Sequence, residues 1–423
     1  MLLGGEEVAM FRRRTTTALA ALGVLLGGLS VAPAGGPAVA APAAHSERLL
    51  FDGGGESLNG ITYHSFRIPS LVRTRANTLI AFAEGRASNN RDWGNINLVF
   101  KRSEDNGATW SALDEVVGAG QGTWGNPTAV VDSSNGRIWL FMSWNPAGYS
   151  QNGDDGTTRI TAWEHRKVYV SSSSDDGRNW TDPVDLTATL KPRTFASGAA
   201  WAWDAMGPGV GVQTSTGRLV IPALHRNIYS DDHGATWKVQ RITTSGGVAQ
   251  EGTSEGTVLE LTDGRLMRND RAVGSVWEDA KRRWVTRGTI EGGFATFVPD
   301  DTLLDPRAQG SVLRYNLDSP TRIVFLNSAS TETRTRMTVR ISYDEARTWP
   351  VYRRLSDAPL PSWPGLGSGS VAEGGYSSMA KTADYFVGAL VEVNENTAAS
   401  DTSRRSIVFR KFNLPWMLNG TPE

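Results

Sequence analysis

The chain has no cysteine in its 423 residues. Disulfides, thiolate nucleophiles, iron–sulfur clusters and cysteine-bound zinc are therefore excluded. It has no excess charge of either sign, since 43 Lys and Arg face 44 Asp and Glu for a net charge of −1. With no polybasic field there is nothing to displace counterions from nucleic acid, and that class of partner drops out. Only five histidines occur, and none has metal-ligand spacing; His64 and His225 each stand alone. Walker and dinucleotide glycine patterns are missing, so no cofactor and no metal is expected. Helical periodicity is scarce. What is plentiful is Gly (46) and Trp (15), within a chain that is 39% apolar. Such a chain buries a sizeable core and carries many tight turns and aromatic anchors, as β-rich repeat folds do.

The first forty residues read as a secretory signal peptide rather than as structure. Arg12-Arg13-Arg14 precedes an apolar run from Ala18 to Val31, and Ala38-Val39-Ala40 fits an A-x-A cleavage site. A membrane anchor is disfavoured, because this run is about 14 residues against the roughly 20 needed to span. Met10 stands directly before the arginines, so residues 1–9 would lie upstream of an alternative start. Losing three Arg and two Glu with the leader leaves a net charge of −2. No other stretch is suited to crossing a bilayer.

A pattern Ser-x-Asp-x-Gly-x-Thr-Trp recurs. It reads Ser103, Asp105, Gly107, Thr109, Trp110, then Ser173, Asp175, Gly177, Asn179, Trp180, then Ser230, Asp232, Gly234, Thr236, Trp237. A weaker copy is Ser342, Asp344, Ala346, Thr348, Trp349. The tryptophans are 70, 57 and 112 residues apart, and 112 is twice 56, as if one unit had lost its motif. Asp and Ser accept backbone N–H bonds in a turn, Gly permits positive φ, and Trp pins the turn into a core. The motif is thus structural. Alternating strands flank it, such as Val168-Tyr169-Val170 and Met337–Ile341, and turn-then-strand segments start at Gly136, Gly217 and Gly264. About 370 residues at roughly 57–60 per unit make about six units. The expectation is an all-β fold, a six-bladed β-propeller of four-stranded antiparallel sheets over residues 46–416, with 417–423 as a C-terminal tail.

Several residues stand out as chemistry. Arg67 interrupts the apolar run Phe66-Arg67-Ile68-Pro69, where a strand interior would exclude it unless it faces a ligand or partner. Arg86 and Asp92 fall in a polar stretch placed as a loop after a strand at Leu79–Ala83. Glu255 lies in Thr253–Leu261, Arg271 closes Arg268-Asn269-Asp270-Arg271, Arg334 and Arg336 share one segment, and Tyr376 lies in Glu373–Met379.

Taken together, Phe-Arg-Ile-Pro, the repeated aspartate turns, Glu255-Gly-x-Val-x-Glu-Leu261 and Gly374-Gly375-Tyr376-Ser377-Ser378 resemble, in order, the bacterial sialidases (exo-α-neuraminidases). The resemblance spans about residues 46–416. The aspartate turn alone is unspecific, but Phe-Arg-Ile-Pro with a downstream Gly-Tyr-Ser is specific in combination. It implies a six-bladed propeller with a central site. It also implies that Arg67, Arg271 and Arg334 clamp the substrate carboxylate, with Arg336 as a rival for the third place. Asp92 would be the general acid/base, Tyr376 the nucleophile and Glu255 its activating base. Arg86 would lie near the sugar 4-hydroxyl. The family often has Asp where this chain has Asn126 before Pro127, which puts that contact in question.

Physical chemistry favours such roles. Planar guanidinium binds carboxylate through paired bonds better than ammonium does. A carboxylate nucleophile would be repelled by the substrate's own carboxylate, whereas a neutral phenol is not. A phenol of reference pKa about 10 needs a base. Each residue also has a purely structural reading. Arg67 would pair internally, Asp92 would turn the chain before Trp93-Gly94, and Tyr376 would be a buried edge-strand aromatic. Glu255 would neutralise an arginine, and Arg334 would be solvated. Trp93, Trp124, Trp144 and Trp201 would line a pocket or fill a core.

The resulting expectation is a secreted exo-α-sialidase acting on terminal sialic acids of glycoconjugates, with net retention, as a monomer. The alternatives are transfer or intramolecular release by the same residues, and an inactive propeller lectin. A lectin needs only the arginines, so the presence of both Tyr376 and Glu255 weighs against it.

Overall fold

The structure, a computed structural model, describes residues 41–118, 120, 122–355, 372–394 and 405–419. The expected leader, residues 1–40, lies outside them. Among the described residues α-helix is confined to Thr187–Leu190, Gly274–Ala280 and Leu414–Leu418. The remaining architecture is short antiparallel sheets. Blade 1 comprises Ser65–Arg73, Leu79–Arg86, Ile96–Ser103 and Asp114–Val117. Blade 2 comprises Gly122–Val131, Ile138–Pro146, Lys167–Ser173 and Val184–Asp185. Blade 3 has a split inner strand (Gly209–Val210, Val212–Gln213), then Leu219–Ala223, Arg226–Ser230 and Lys238–Arg241. Blade 4 comprises Thr253–Glu260, Leu266–Ala272, Arg282–Thr289 and Val298–Leu304. Blade 5 comprises Ser311–Asn316, Arg322–Ser328, Met337–Ser342 and Val351–Arg354. Blade 6 comprises Ala372–Lys381, Val387–Asn394 and Arg405–Phe412, and its outermost strand is the N-terminal His45–Phe51.

The first strand of each blade packs against the first strands of its neighbours, from blade 1 round to blade 6 and back to blade 1. The ring is closed by the two ends of the fold, because His45–Phe51 pairs with Arg405–Phe412. Asn413 ties them further: its side chain accepts from Ala44 N at 3.0 Å and donates to Pro42 O at 2.8 Å. Blades stacked face to face bury their central strands on both sides. This is why Leu79–Arg86 is buried at every position and its apolar run does not alternate.

Four turns carry the repeated motif with one set of hydrogen bonds. In blade 1, Gly107 N–H donates to Ser103 Oγ at 2.8 Å, and Thr109 donates to Asp105 from its N–H at 2.8 Å and its hydroxyl at 2.6 Å. Blades 2, 3 and 5 repeat this around Asp175, Asp232 and Asp344. These bonds hold Asp105, Asp175 and Asp232 at pKa values of about 2. Glycine is required at the turn of blade 3 on two counts: Gly234 has φ +86, and a Cβ there would sit 2.3 Å from Trp139. The residue before each such glycine, or before Ala346, is left-handed and reaches back to the preceding blade. Asn106 accepts from Ala383 N, Asp176 from Thr78 Oγ1, and Glu345 from Thr262 N, while His233 Nδ1 lies 2.8 Å from Asp132. Each turn is thus a latch between blades. Blade 4, whose third strand ends at Thr289, is the unit between blades 3 and 5 that lost the motif, and blade 6 lacks it too.

Two expectations are corrected. The strand placed at Leu79–Ala83 continues to Arg86, because Glu84 and Arg86 keep pairing with Leu98 and Ile96. The tail expected from 417 starts later. Asn413 caps the helix Leu414–Leu418, accepting from Trp416 N at 3.0 Å, and Met417 is buried in the core.

Candidate active site

The site is built by breaking strand regularity. The innermost strands of blades 1, 2, 4 and 6 each lose register near their N-terminal ends: between Arg67 and Ser70, Gly125 and Thr128, Thr253 and Gly256, and Glu373 and Ser377. A bulge re-aims side chains and is common beside active sites. Arg67 is the last paired residue before the first of these bulges, and Asn126, Glu255 and Tyr376 lie within the other three. Ile68 takes φ 56, an outlier for a β-branched residue, and Asn126 takes φ 58. Ile68 is held there because its N–H donates to Glu392 Oε1 at 2.9 Å and its side chain packs with Ala308 and Tyr376.

These bulges open on one cavity of about 720 Å³, lined by Arg67, Arg86, Asp92, Asn126, Glu255, Arg271, Arg334 and Tyr376. Five different blades contribute, so these eight residues from distant stretches of chain converge there. Arg336 is exposed and does not line the cavity.

Tyr376, 4% exposed, is engaged on several sides. Its hydroxyl donates to Glu255 Oε1 and accepts from Arg271 Nη1 at 2.9 Å, and Arg271 Nη1 also bonds Glu255 Oε2 at 2.7 Å. The Arg67 and Arg334 guanidiniums stand 5.5 and 5.2 Å from its ring centre. Burial, then the Glu255 charge, pushes the phenol well above its ordinary pKa, outweighing Arg271, Arg334 and Arg67. The resting phenol is therefore neutral. Burial alone would pull Arg67 and Arg271 down, but Glu392 beside the first and Glu255 beside the second hold both guanidiniums firmly charged.

Asp92 projects into the open part of the cavity, its side chain 72% exposed. Its Oδ1 lies 3.0 Å from Arg67 Nη1 and 2.8 Å from Arg86 Nη2. The cavity walls disfavour its charge, but Arg86 and Arg67 outweigh them and hold the carboxyl far below its usual range. Arg86 is buried and fixed by Glu84 Oε2 at 2.6 Å and by Asn90 O. Glu84 Oε1 in turn accepts the Asn126 N–H at 2.8 Å, and Asn126 Oδ1 accepts from Arg166 Nη2 at 2.6 Å. Where the family often has an acid, this chain thus has a neutral carbonyl bound to a buried arginine. Among the described residues, no group of three or more His, Asp or Glu is arranged to hold a metal ion.

Sequence reasoning missed five contributors. Glu392 is fully buried and accepts from Arg67 Nη2 (3.4 Å), Ile68 N (2.9 Å) and Tyr376 N (3.1 Å), with the charged Arg67 Nε 3.3 Å away. Its signal was present: it is the one acid in the apolar strand Val387–Asn394, the anomaly that exposed Arg67. Arg405, Arg166, Phe195 and Trp203 also line the cavity. Of the four tryptophans considered, only Trp93 lines it. Trp124 packs on Tyr169 and Trp144, and Trp201 is buried against Phe195 at 4.4 Å. His225, read as structural, lines the cavity as well, yet burial, then Arg226, keeps it neutral with a pKa of about 3.

Residues 78–390 match the BNR repeat-like domain family. The chain is 50% identical over 381 residues to an exo-alpha-sialidase of Aspergillus fumigatus, covering 85% of this chain and 87% of that one. It is 47% identical over 381 residues to an exo-alpha-sialidase of Arthroderma benhamiae, covering 86% of each. Among solved structures, the intramolecular trans-sialidase of Ruminococcus gnavus superposes with a TM-score of 0.68 at 16% identity, covering 89% of this chain and 99% of that one. That likeness establishes the shared propeller. The aspartate turns by themselves would suit many propellers, but joined to identity near one half across almost the whole length of two relatives they place the chain in the sialidase family.

Proposed function

We propose that the protein is a secreted exo-α-sialidase that hydrolyses terminal α-ketosidically linked sialic acids from glycoconjugates with net retention, through a tyrosyl-enzyme intermediate on Tyr376. The observation that carries it is the Tyr376 hydroxyl bonded to both Glu255 and Arg271, on a cavity wall shared with Arg67 and Arg334.

The substrate carboxylate would settle among Arg67, Arg271 and Arg334. This places the anomeric carbon over the Tyr376 oxygen. Arg67 must then share itself between the ligand and Asp92, which weakens the contact that keeps Asp92 ionised. A second negative charge nearby pushes the same way, so substrate binding itself favours protonated Asp92. In the first step the Tyr376 oxygen attacks the anomeric carbon and its proton passes to Glu255. The bond to the leaving oxygen breaks, and that oxygen takes the Asp92 proton. In the second step Asp92 takes a proton from water, the water oxygen attacks the same carbon, and Tyr376 leaves with its proton returned by Glu255. Two inversions give retention. The basic Arg12–Arg14, the apolar run and Ala38-Val39-Ala40 support export.

The test is release of a fluorogenic sialoside by wild type and Tyr376→Phe, with the first-formed sugar anomer followed by NMR. Tyr376→Phe should lower kcat by at least about 10³-fold while ligand binding persists, and the α-anomer should appear first. An initial β-anomer would refute the tyrosyl route. A wild type that binds the sugar without cleaving it would identify a lectin.

A further inference from the structure

Five of the arginines that line the cavity are Arg67, Arg86, Arg271, Arg334 and Arg405. Four carboxylates accompany them, and each is committed. Glu84 serves Arg86 and the Asn126 N–H, Asp92 serves Arg67 and Arg86, and Glu255 serves Arg271 and Tyr376. Glu392 spends both oxygens on Arg67 and on the N–H groups of Ile68 and Tyr376. Arg334 donates to Arg307 O at 3.1 Å. Among the described residues, the Arg405 guanidinium alone of the five has neither a hydrogen bond nor an ion pair, and its Nε is buried without an acceptor.

The position is nonetheless built. Arg405 opens the third strand of blade 6, and its N–H donates at 3.2 Å to Ser65 Oγ, two residues before Arg67. Its carbonyl is packed so closely on Gly53 that a Cβ there would lie 2.5 Å away. Burial, followed by the charges of Arg67, Arg334 and Arg86, lowers its pKa to about 10 against the opposing Glu392. A guanidinium held beside like charges with no acid in bonding contact is poorly placed for folding and well placed for an incoming anion.

We propose that Arg405 is a fourth guanidinium for the substrate's carboxylate, a specificity-determining residue whose partner is supplied by the ligand. This rests on the sialidase reading above. The ligand's carboxylate would give Arg405 the partner that the cavity's own acids do not, so an uncharged sugar of the same shape is rejected more strongly than three arginines alone would achieve.

The experiment compares wild type, Arg405→Met and Arg405→Lys for fluorogenic sialoside hydrolysis, binding of free N-acetylneuraminic acid and thermal midpoint. Arg405→Met should raise KM and the Kd of the free sugar together by tenfold or more, with kcat within threefold. Its Tm should stay level or rise, since like-charge crowding is relieved. Arg405→Lys should recover most of the affinity. KM and Kd within twofold of wild type in Arg405→Met would overturn the inference while leaving the sialidase reading intact. So would a Tm fall of more than about 5 °C that Lys does not restore, because that marks a structural residue. A wild type that neither cleaves nor binds the sugar would overturn the sialidase reading, and this inference with it.

Discussion

Glu392→Gln should damage stability and activity together, because one carboxylate positions both the carboxylate clamp and the nucleophile. The substitution keeps the side-chain volume, so no cavity forms. What it removes is the charge facing Arg67, whose Nε lies 3.3 Å away, and one acceptor among three donors, at 2.9, 3.1 and 3.4 Å. The site is fully buried, so water cannot substitute. Breaking a buried ion pair by removing one partner costs about 3–5 kcal/mol. The amide nitrogen also turns a donor toward a backbone N–H or a guanidinium, an effect already contained in that range. At roughly 2 °C per kcal/mol for a large domain, Tm should fall by about 6–10 °C in a calorimetric scan. Released from a common anchor, Arg67 and the Tyr376 backbone shift independently, and kcat/KM for a sialoside should drop by about 10²-fold. The pH dependence follows from the shifted carboxyl. Burial would raise the Glu392 pKa, but Arg67 and then Arg405 bring it below its ordinary value of 4.5. Its contribution is therefore complete above that value and is lost as pH falls through the lower, folded value. The Tm gap between wild type and variant should close in acid. A Tm within 2 °C of wild type and kcat/KM within threefold at neutral pH would refute the reasoning.

Two further outcomes follow from buried cations and a buried imidazole. His225, with a folded pKa of about 3, stays neutral while the unfolded chain takes up a proton from 6.5 downward. Stability from this group is thus lost as pH drops from 6.5 toward 3, at roughly 1.4 kcal/mol per unit. Between pH 7 and 5, His225→Gln should lose about 1.5–2 kcal/mol less than wild type by denaturant titration; equal slopes would contradict this. Arg166, its pKa lowered to about 10 by burial, meets only neutral acceptors in Asp204 O, Asn145 Oδ1 and Asn126 Oδ1. Asn126→Asp should supply the missing charge and raise stability by about 1–3 kcal/mol, read as a higher Tm; a lower Tm would show that repulsion from Glu84 dominates.

The propeller was legible because its evidence is local and repeated. Ser103 through Trp110 forms a turn from its own side chains, so four copies, spaced by roughly one repeat length or two, announce four blades without any knowledge of their packing. Ring closure left no such mark: His45–Phe51 completes blade 6 only by meeting a strand more than 350 residues away. The site was legible where a residue contradicted its surroundings. Arg67 in an apolar strand demanded an explanation, and Tyr376 and Glu255 became chemically meaningful once an anionic substrate was in view. Glu392 contradicted its strand equally, but a buried acid has meaning only relative to the cation it faces, and 325 residues separate it from Arg67. Arg405 is harder still, because its significance is the lack of a partner among the described residues, a property of assembled side chains and not of any one segment. The division is physical. Turns encode themselves over a few bonds, whereas charge balance in a cavity is a sum over five blades and cannot be read until the ring has closed.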